Sequence, residues 1–242
     1  MKILLIIPAY NEEENIVNTC STVEEYNKKH NSNIEYVVIN DGSVDNTLKV
    51  LKENNINHIN LIKNLGIGGA VQTGYKYAYK NGYDIAVQFD GDGQHDVNYV
   101  EKICQAIIDG QADMVIGTRY LDKKESKFQS TFMRRLGSSI ISFNIKLLCG
   151  KKITDPTSGF RAVNKSVIEK FAKEYPIEYP EPESEVQLLV NKYKILEVPV
   201  SMNARGGGVS SIRFWKTIDY MVKVVLAIFI DSISFRRKWR NK

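Results

Sequence analysis

The stretch IAVQFDGDGQH, residues 85–95, carries the strongest structural signal in the chain. Ile85–Phe89 is a short, largely apolar run, as expected of a strand that is buried on both faces of a sheet. Asp90 and Asp92 follow at once, and two carboxylates spaced in this way converge on one hard divalent cation, while the glycines after them let phosphate approach the backbone. An Asp-Gly hairpin turn would have the same sequence, so this stretch alone leaves both interpretations open.

Shorter apolar runs of the same kind alternate with amphipathic stretches along the chain. The predicted strands are Ile3–Ile7, Tyr36–Ile39, Ile59–Ile62, Ile85–Phe89, Met114–Ile116 and Ile195–Val200. The predicted helices are Glu12–Lys29, Asp45–Asn54 and Asn98–Asp109 (with Asp45 and Asn98 as N-caps), Gly68–Asn81, Phe132–Leu148 and Glu183–Tyr193. This alternation predicts an α/β fold with a mostly parallel central sheet flanked by helices.

Polar turns follow four of the predicted strands, beginning at Pro8, Asn40, Asn64 and Asp90. Because ligands bind at the carboxyl ends of strands in open parallel sheets, we expect these turns to face one crevice. Asp41 would there accept hydrogen bonds from a base or a ribose, or else cap its turn. The turn at Asn64 is glycine-rich and opens a helix, which suits phosphate, but it has neither P-loop nor dinucleotide-binding spacing.

The composition is that of an ordinary globular protein, because 43% of the 242 residues are hydrophobic and 25% are charged. These values exclude disordered, collagen-like and disulfide-scaffold classes. Three dispersed cysteines and three histidines argue against a zinc cage and suggest reduced thiols in a cytoplasmic setting. The net charge of +5 is uneven, since residues 200–242 hold nine basic and two acidic residues.

The C-terminal segment, residues 213–242, is predicted to form a basic amphipathic helix after a domain spanning 1–212. Apolar side chains recur at helical spacing, at Trp215, Ile218, Val222, Val225, Phe229 and Ile233. The uninterrupted apolar run 224–230 is too short to span a bilayer. The segment therefore suits an anionic membrane surface, or else packs against the domain or a membrane-protein partner. Nucleic-acid binding is disfavoured because the basic residues flank an apolar stripe.

Taken together, the motifs resemble glycosyltransferase family 2, whose members have a GT-A fold and bind nucleotide sugars. The motifs fall in order along about the first 210 residues: Pro-Ala-Tyr-Asn-Glu from Pro8, Asp41-Gly42-Ser43, Asn64-x-Gly66, Asp90-x-Asp92-Gly93-Gln94, Gly117-Thr118-Arg119 and Ser158-Gly159-Phe160-Arg161. The last motif, with Arg205 and Ser210, is most similar to the polyprenyl-phosphate, dolichol-phosphate mannosyltransferase-like branch. Asn40 stands where the family usually has an acid, which leaves the base of the donor open.

The resemblance implies a role for each matched residue. The nucleotide sugar would contact Pro8, Tyr10, Glu12, Ile39, Asp41, Asp90, Gly91, Asp92 and Arg134. Mg²⁺ or Mn²⁺ would be held by Asp90, Asp92 and Gln94. The acceptor phosphate would meet Arg134, Arg161, Arg205 and Ser210, and the catalytic group would comprise Asp90, Asp92, Arg119 and Arg205.

The chemistry of the acceptor favours a phosphate. A hydroxyl acceptor needs a base in reach, whereas a phosphate monoester is already anionic and needs cations. The sequence offers Arg119, Arg134, Arg135, Arg161 and Arg205 and no clear base, since Glu183–Leu189 matches the acidic segment of the family imperfectly. We therefore expect transfer from a nucleoside diphosphate sugar to a polyprenyl phosphate, for cell-envelope glycan synthesis, at the inner face of the cell membrane.

Three alternatives are kept. The first is a family 2 enzyme that acts on a sugar hydroxyl of a growing polysaccharide. The second is a sugar-phosphate nucleotidyltransferase, against which the acidic, glycine-free segment Pro8–Glu14 counts. The third is a non-catalytic membrane adaptor, against which the paired acids Asp90 and Asp92 count. A homo-oligomer also stays open.

Overall fold

A computed structural model describes residues 1–121, 132–202, 221–230 and 232–234, without the side chains of 132–134. The described residues form a seven-stranded sheet in the order β3-β2-β1-β4-β6-β5-β7. The strands are β1 (Ile3–Ala9), β2 (Ile34–Asn40), β3 (His58–Asn60), β4 (Ile85–Gln88), β5 (Met114–Thr118), β6 (Arg161–Asn164) and β7 (Ile195–Pro199). The helices are α1 (Ile16–His30), α2 (Thr47–Glu53), α3 (Gly66–Lys80), α4 (Val100–Ile108), α5 (Phe132–Cys149), α6 (Lys165–Lys173) and α7 (Pro180–Val190).

The sheet is parallel except for β6. β1 pairs in parallel with β2 and β4, β2 with β3, and β5 with β7. β6 runs antiparallel between β4 and β5. The mostly parallel, helix-flanked sheet that the sequence predicts is therefore confirmed, and the carboxyl ends of β1, β2 and β4 meet at one edge.

Alternating side chains of the strands feed two hydrophobic cores, one on each face of the sheet. On β1, Leu4 and Ile6 enter one core while Leu5 and Ile7 enter the other, as the two-residue period of a strand requires. Helices α1, α2 and α4 cover the second core, and α3, α5, α6 and α7 cover the first. Each fully buried aliphatic side chain contributes about 1.5–3 kcal/mol, so the strands are a rigid base for the loops at their ends.

The ends of several elements differ from the prediction. The third strand ends at Asn60, and Ile62, predicted to lie in it, is fully exposed. A short 3₁₀ turn, Val97–Tyr99, precedes α4, and the carboxylate of Asp96 caps it by accepting the backbone N–H of Asn98. Asn98 is therefore the capped residue and not the cap.

The C-terminal residues 221–230 and 232–234 are helical and pack on the domain. Val224 and Ile228 enter the first core, whereas Val222, Phe229 and Ile233 of the predicted stripe are exposed. Trp215 and Ile218 lie outside the described residues. Within the part of the chain that is described, no helix is both long and apolar enough to cross a bilayer.

Candidate active site

A cleft of about 520 Å³ opens at the carboxyl ends of β1, β2 and β4. All four predicted turns contribute lining residues to it, and the turn at Asn64 does so together with the start of α3. The convergence follows from the topology, because parallel neighbouring strands release their turns at the same edge. The lining residues are Pro8, Ala9, Tyr10, Glu12, Asp41, Asn64, Gly66, Ile67, Ala70, Gln88, Asp90, Gly91, Asp92, Thr157, Gly159 and Glu181.

The diacid turn, residues 90–93, presents both of its carboxylates to this cleft. Asp92 is 7% exposed, and its Oδ1 accepts the backbone N–H of Gln94 at 3.1 Å. The side chain of Asp90 is 33% exposed. Gln94 is not among the residues that line the cleft, and its backbone N–H is the contact shown for it. Its assignment as a metal ligand remains a prediction.

His95 fixes the conformation of the diacid turn. The backbone N–H of Asp90 donates to His95 Nδ1 at 2.9 Å, so the imidazole proton sits on Nε2, which lies 3.4 Å from Asp90 Oδ2. The ring stacks on Phe160 with centroids 4.7 Å apart and meets the edge of Phe89. Burial lowers the pKa of His95 to about 4, so the ring is neutral at neutral pH. The sequence analysis assigned no role to His95.

Two glycines at this edge of the sheet allow close approaches of neighbouring groups. A Cβ at Gly159 would lie 3.1 Å from both carboxylate oxygens of Asp90 and 3.0 Å from Gln88 Nε2. A Cβ at Gly91 would lie 3.0 Å from the carbonyl oxygen of Pro8. A side chain at Gly159 would press on the carboxylate of Asp90, and one at Gly91 would press on the backbone of Pro8, so both close approaches favour glycine.

The other end of the cleft is built around Asp41. Its Oδ1 accepts the backbone N–H of Leu65 at 2.7 Å, which ties the turn after β2 to the start of α3. Gly42 has a φ of +65°, and a Cβ there would lie 2.6 Å from the backbone nitrogen of Asn64, so only glycine fits this close approach. Asp41 therefore both braces a turn and lines the cleft, and the two alternatives for it are compatible.

The remaining predicted nucleoside contacts divide into two groups. Pro8, Tyr10 and Glu12 line the cleft, and Tyr10 is 46% exposed there. Ile39 is fully buried in the first core, so its side chain does not reach the cleft. The prediction that the Ile39 side chain contacts the nucleoside is therefore corrected, because this side chain packs in the core on one face of the sheet.

The donor set of the diacid turn fits a hard divalent cation. Both acids supply only oxygen, and Mg²⁺ and Mn²⁺ bind through one or two carboxylates together with substrate phosphates and water. Among the described residues, no group of three or more His, Cys, Asp or Glu side chains is arranged to cage an ion. A site of this kind needs a phosphate-bearing ligand to complete the coordination.

Arg119 forms a bidentate ion pair with Asp155 beside the diacid turn. Its Nε and Nη2 donate to the two carboxylate oxygens of Asp155, each at 2.8 Å. Asp155 is held in turn by Glu197, whose carboxylate accepts its backbone N–H at 3.1 Å. Arg119 also interacts electrostatically with Asp90. The guanidinium is 9% exposed, at the margin of the site rather than within the cleft.

Arg161 is committed to the protein interior, which corrects its prediction as an acceptor-phosphate ligand. The residue is 1% exposed. Its five N–H donors meet Ser158 O at 2.6 Å, Glu181 O at 2.7 Å, Ser184 Oγ at 2.9 Å, Pro156 O at 3.2 Å and Glu185 Oε1 at 2.7 Å. A guanidinium has five donors, so none is left for a substrate.

Glu181 is a cleft residue that the sequence analysis missed. It lies in the first turn of α7, near Asp90, and interacts with the side chain of Gln88. Burial raises the pKa of its carboxyl above the ordinary value, and the nearby Arg161 opposes this rise. The available signal was Pro180, since proline at the first helical position marks a start before the predicted Glu183.

Three predicted residues are not placed by the structure. The side chain of Arg134, at the start of α5, is not described, and Arg205 and Ser210 lie outside the described residues. Their assignments remain predictions.

Comparison with known proteins gives the family. The model of glycosyl transferase family 2 matches residues 4–172. A UDP-N-acetylglucosamine--dolichyl-phosphate N-acetylglucosaminyltransferase of Methanococcus voltae is 38% identical over 217 residues, 82% of this chain and 84% of that protein. A dolichol-phosphate mannosyltransferase of Pyrococcus furiosus is 33% identical over 230 residues, 91% of this chain and 62% of that protein.

A solved structure shares the fold. Glucosyl-3-phosphoglycerate synthase from Mycobacterium tuberculosis, in complex with Mn²⁺, UDP-glucose and phosphoglyceric acid, superposes with a TM-score of 0.70 at 16% identity. The match covers 96% of this chain and 79% of that one. It confirms the predicted GT-A-like architecture.

Proposed function

Because this chain belongs to glycosyl transferase family 2, we propose that it moves a sugar from a nucleoside diphosphate donor to a polyprenyl phosphate, with Mg²⁺ or Mn²⁺. That it is a glycosyltransferase follows from the family, which sets aside the nucleotidyltransferase and adaptor alternatives. The observation that carries the finer proposal is the diacid turn, whose two carboxylates face a cleft that Asp41 and Tyr10 line at the other end.

The donor is proposed to lie along this cleft. Pro8, Tyr10, Glu12 and Asp41 would hold the nucleoside, and Asp90 and Asp92 would hold the cation that binds the diphosphate. A bound Mg²⁺ or Mn²⁺ neutralises negative charge that builds on the departing diphosphate. His95 keeps the carboxylate of Asp90 in place for this role.

The proposed acceptor is supported by the relatives, two of which are named for transfer to dolichyl or dolichol phosphate. A phosphate oxygen would attack the anomeric carbon as the bond to the diphosphate breaks, which inverts that centre. No proton has to be removed from a phosphate, so the residues needed are cations. Arg134, Arg205 and Arg119 are the candidates, with Ser210 as a further hydrogen-bond donor, while Arg161 is not.

A transfer assay tests the proposal. The purified protein should transfer sugar from UDP- or GDP-linked donors to a short polyprenyl phosphate when Mn²⁺ or Mg²⁺ is present, and chelation should abolish this. Asp92→Asn should lower turnover by about 10³-fold, because loss of a cation ligand removes several kcal/mol of transition-state stabilisation. Unchanged turnover of the correctly folded variant would contradict the proposed metal site.

Glu181 favours a second candidate, transfer to a sugar hydroxyl. Its carboxylate is the base that such an acceptor needs and that the sequence analysis lacked. With a hydroxyl acceptor, Glu181→Gln should lower turnover by about 10²–10⁴-fold. It should also remove the acidic limb of the pH–rate profile, on which the rate falls as pH drops through the raised pKa of Glu181. With a phosphate acceptor, the turnover of the same variant should stay within about tenfold of the wild type. The fall of the rate towards low pH should then persist in the variant.

The proposed place of action is the inner face of the cell membrane. A polyprenyl phosphate is anchored in the bilayer, so the cleft must come within reach of the membrane surface. The basic segment 213–242 is proposed to make that contact. Of this segment, residues 221–230 and 232–234 are described, and they combine a face packed on the domain with an exposed apolar face.

A further inference from the structure

Two helices expose apolar stripes with the same spacing. On α5 the exposed apolar residues are Leu136, Ile140, Phe143 and Leu147. On the C-terminal helix they are Val222, Leu226, Phe229 and Ile233, with Ile230 beside them. Both sets follow the pattern i, i+4, i+7, i+11, which places each set along one side of its helix. We call these two stripes together the paired-helix face.

The opposite sides of both helices are anchored in the same core. Ile141 and Ile145 of α5 and Val224 and Ile228 of the C-terminal helix all enter the first core. The helices also touch, since a Cβ at Gly137 would lie 3.0 Å from Met221 Sδ. The domain therefore holds the helices side by side, and their exposed stripes are part of the packed fold.

The two sequence segments that contain the paired-helix face are rich in basic residues. Residues 132–152 contain five basic residues and no acid, and residues 213–242 contain eight basic residues and two acids. The rest of the chain carries 20 basic and 26 acidic residues, so the positive charge of the protein is concentrated here. Among the described residues of these two segments, the exposed basic side chains are Arg135, Lys146, Lys151, Lys152 and Lys223.

We propose that the paired-helix face lies on an anionic lipid surface, with α5 and the C-terminal helix together forming the contact. Apolar side chains flanked by lysine and arginine are what an interfacial helix needs, because the stripe enters the acyl boundary while the cations meet lipid phosphates. The inference deepens the proposed function and rests on it for the reason to bind a membrane. The inference adds α5 to the membrane contact, which the composition of the segment 213–242 alone does not reveal.

The same charge disfavours a second copy of the chain as the occupant. In a two-fold dimer the same patch meets itself, so the basic flanks of one copy would face those of the other. Like charges brought together across an interface cost several kcal/mol. An anionic bilayer has the complementary sign.

Vesicle flotation with the full chain tests the proposal. The protein should float with phosphatidylcholine vesicles that contain phosphatidylglycerol and much less with phosphatidylcholine alone. The double variant Phe143→Glu/Leu147→Glu should lower the partition coefficient at least tenfold, because two apolar anchors become anions. Ile108→Glu is the matched control, since Ile108 is an exposed apolar residue on α4, which covers the other core. It should float like the wild type.

A second variant guards against misfolding of the first. Lys151→Gln/Lys152→Gln alters only exposed charge and should weaken flotation by about fivefold per lysine, with the wild-type melting temperature retained. The proposal is overturned if the wild type does not float, if the α5 variants float as well as the wild type, or if they change only self-association in light scattering. Flotation needs no donor or acceptor. Floating without transfer activity would refute the proposed function alone, and transfer without flotation would refute the docking face alone.

Discussion

The diacid turn and helix α7 both place carboxylates at the same edge of the sheet, but they hold them in opposite ways. Asp90 and Asp92 line a cleft, and the contacts of their turn include a histidine ring and a backbone N–H group. Glu185 is fully buried and receives a guanidinium from within the protein. Glu181, one turn before Glu185, lines the cleft as Asp90 and Asp92 do.

Breaking the buried pair should give the largest effect. Arg161→Ala leaves Glu185 and three carbonyl oxygens without their donor, and we expect the free energy of unfolding to fall by about 3–5 kcal/mol. Urea denaturation measures this. Lys173→Ala, which removes a solvent-exposed pair with Glu169, is the control and should leave the unfolding midpoint unchanged. An Arg161→Ala protein of wild-type stability would mean that the interior network is not structural.

Removing the brace of the diacid turn should have an intermediate effect on the site and a small one on the fold. His95→Ala should weaken Mn²⁺ binding in the presence of UDP by about 10–100-fold, as is usual for residues that orient a metal ligand. His95→Asn should recover part of this, because Oδ1 of asparagine can accept the N–H of Asp90. Mn²⁺ titration followed by electron paramagnetic resonance measures both. Equal affinities for all three proteins would show that Asp90 needs no brace.

The smallest effect concerns the pH dependence of stability. Burial raises the pKa of Glu185 well above its ordinary value, against the opposing effect of Arg161. The folded state therefore binds a proton that the unfolded state releases, and the stability due to it is present below the unfolded pKa and lost as pH rises through the folded one. Glu185→Gln should flatten this dependence, because it removes the group that titrates. Parallel curves for the two proteins in urea would contradict it.

The cleft could be predicted from the sequence because its residues follow strands. A strand buried on both faces is readable as an apolar run, and parallel strands bring their turns together, so Pro8, Asp41 and Asp90 had to converge. The family resemblance placed these residues in the correct fold. Neither argument needs knowledge of how side chains pack.

The hydrogen-bond and ion-pair partners of the arginines could not be predicted in this way. Arg161 belongs to a motif near the site, and its acceptors lie up to 24 residues away on α7, where only packing brings them into reach. The same holds for Arg119, whose partner Asp155 is 36 residues away. Glu181 was missed because the start of α7 was set at Glu183. Charge and spacing identify candidates, and burial decides which of them meet a substrate.

The position of β6 between β4 and β5 determines the order in which the strands can pair during synthesis on the ribosome. Among the described strands, β5 pairs with β6 and β7, both of which are synthesised later. A nascent chain that ends before Arg161 therefore leaves β5 unpaired on both sides and β4 unpaired on one side. Unpaired strand edges can pair with other chains. Emergence of Arg161–Asn164 closes this gap and brings Gly159 against Asp90, whereas Glu181 of the cleft and β7, the second partner of β5, are added later.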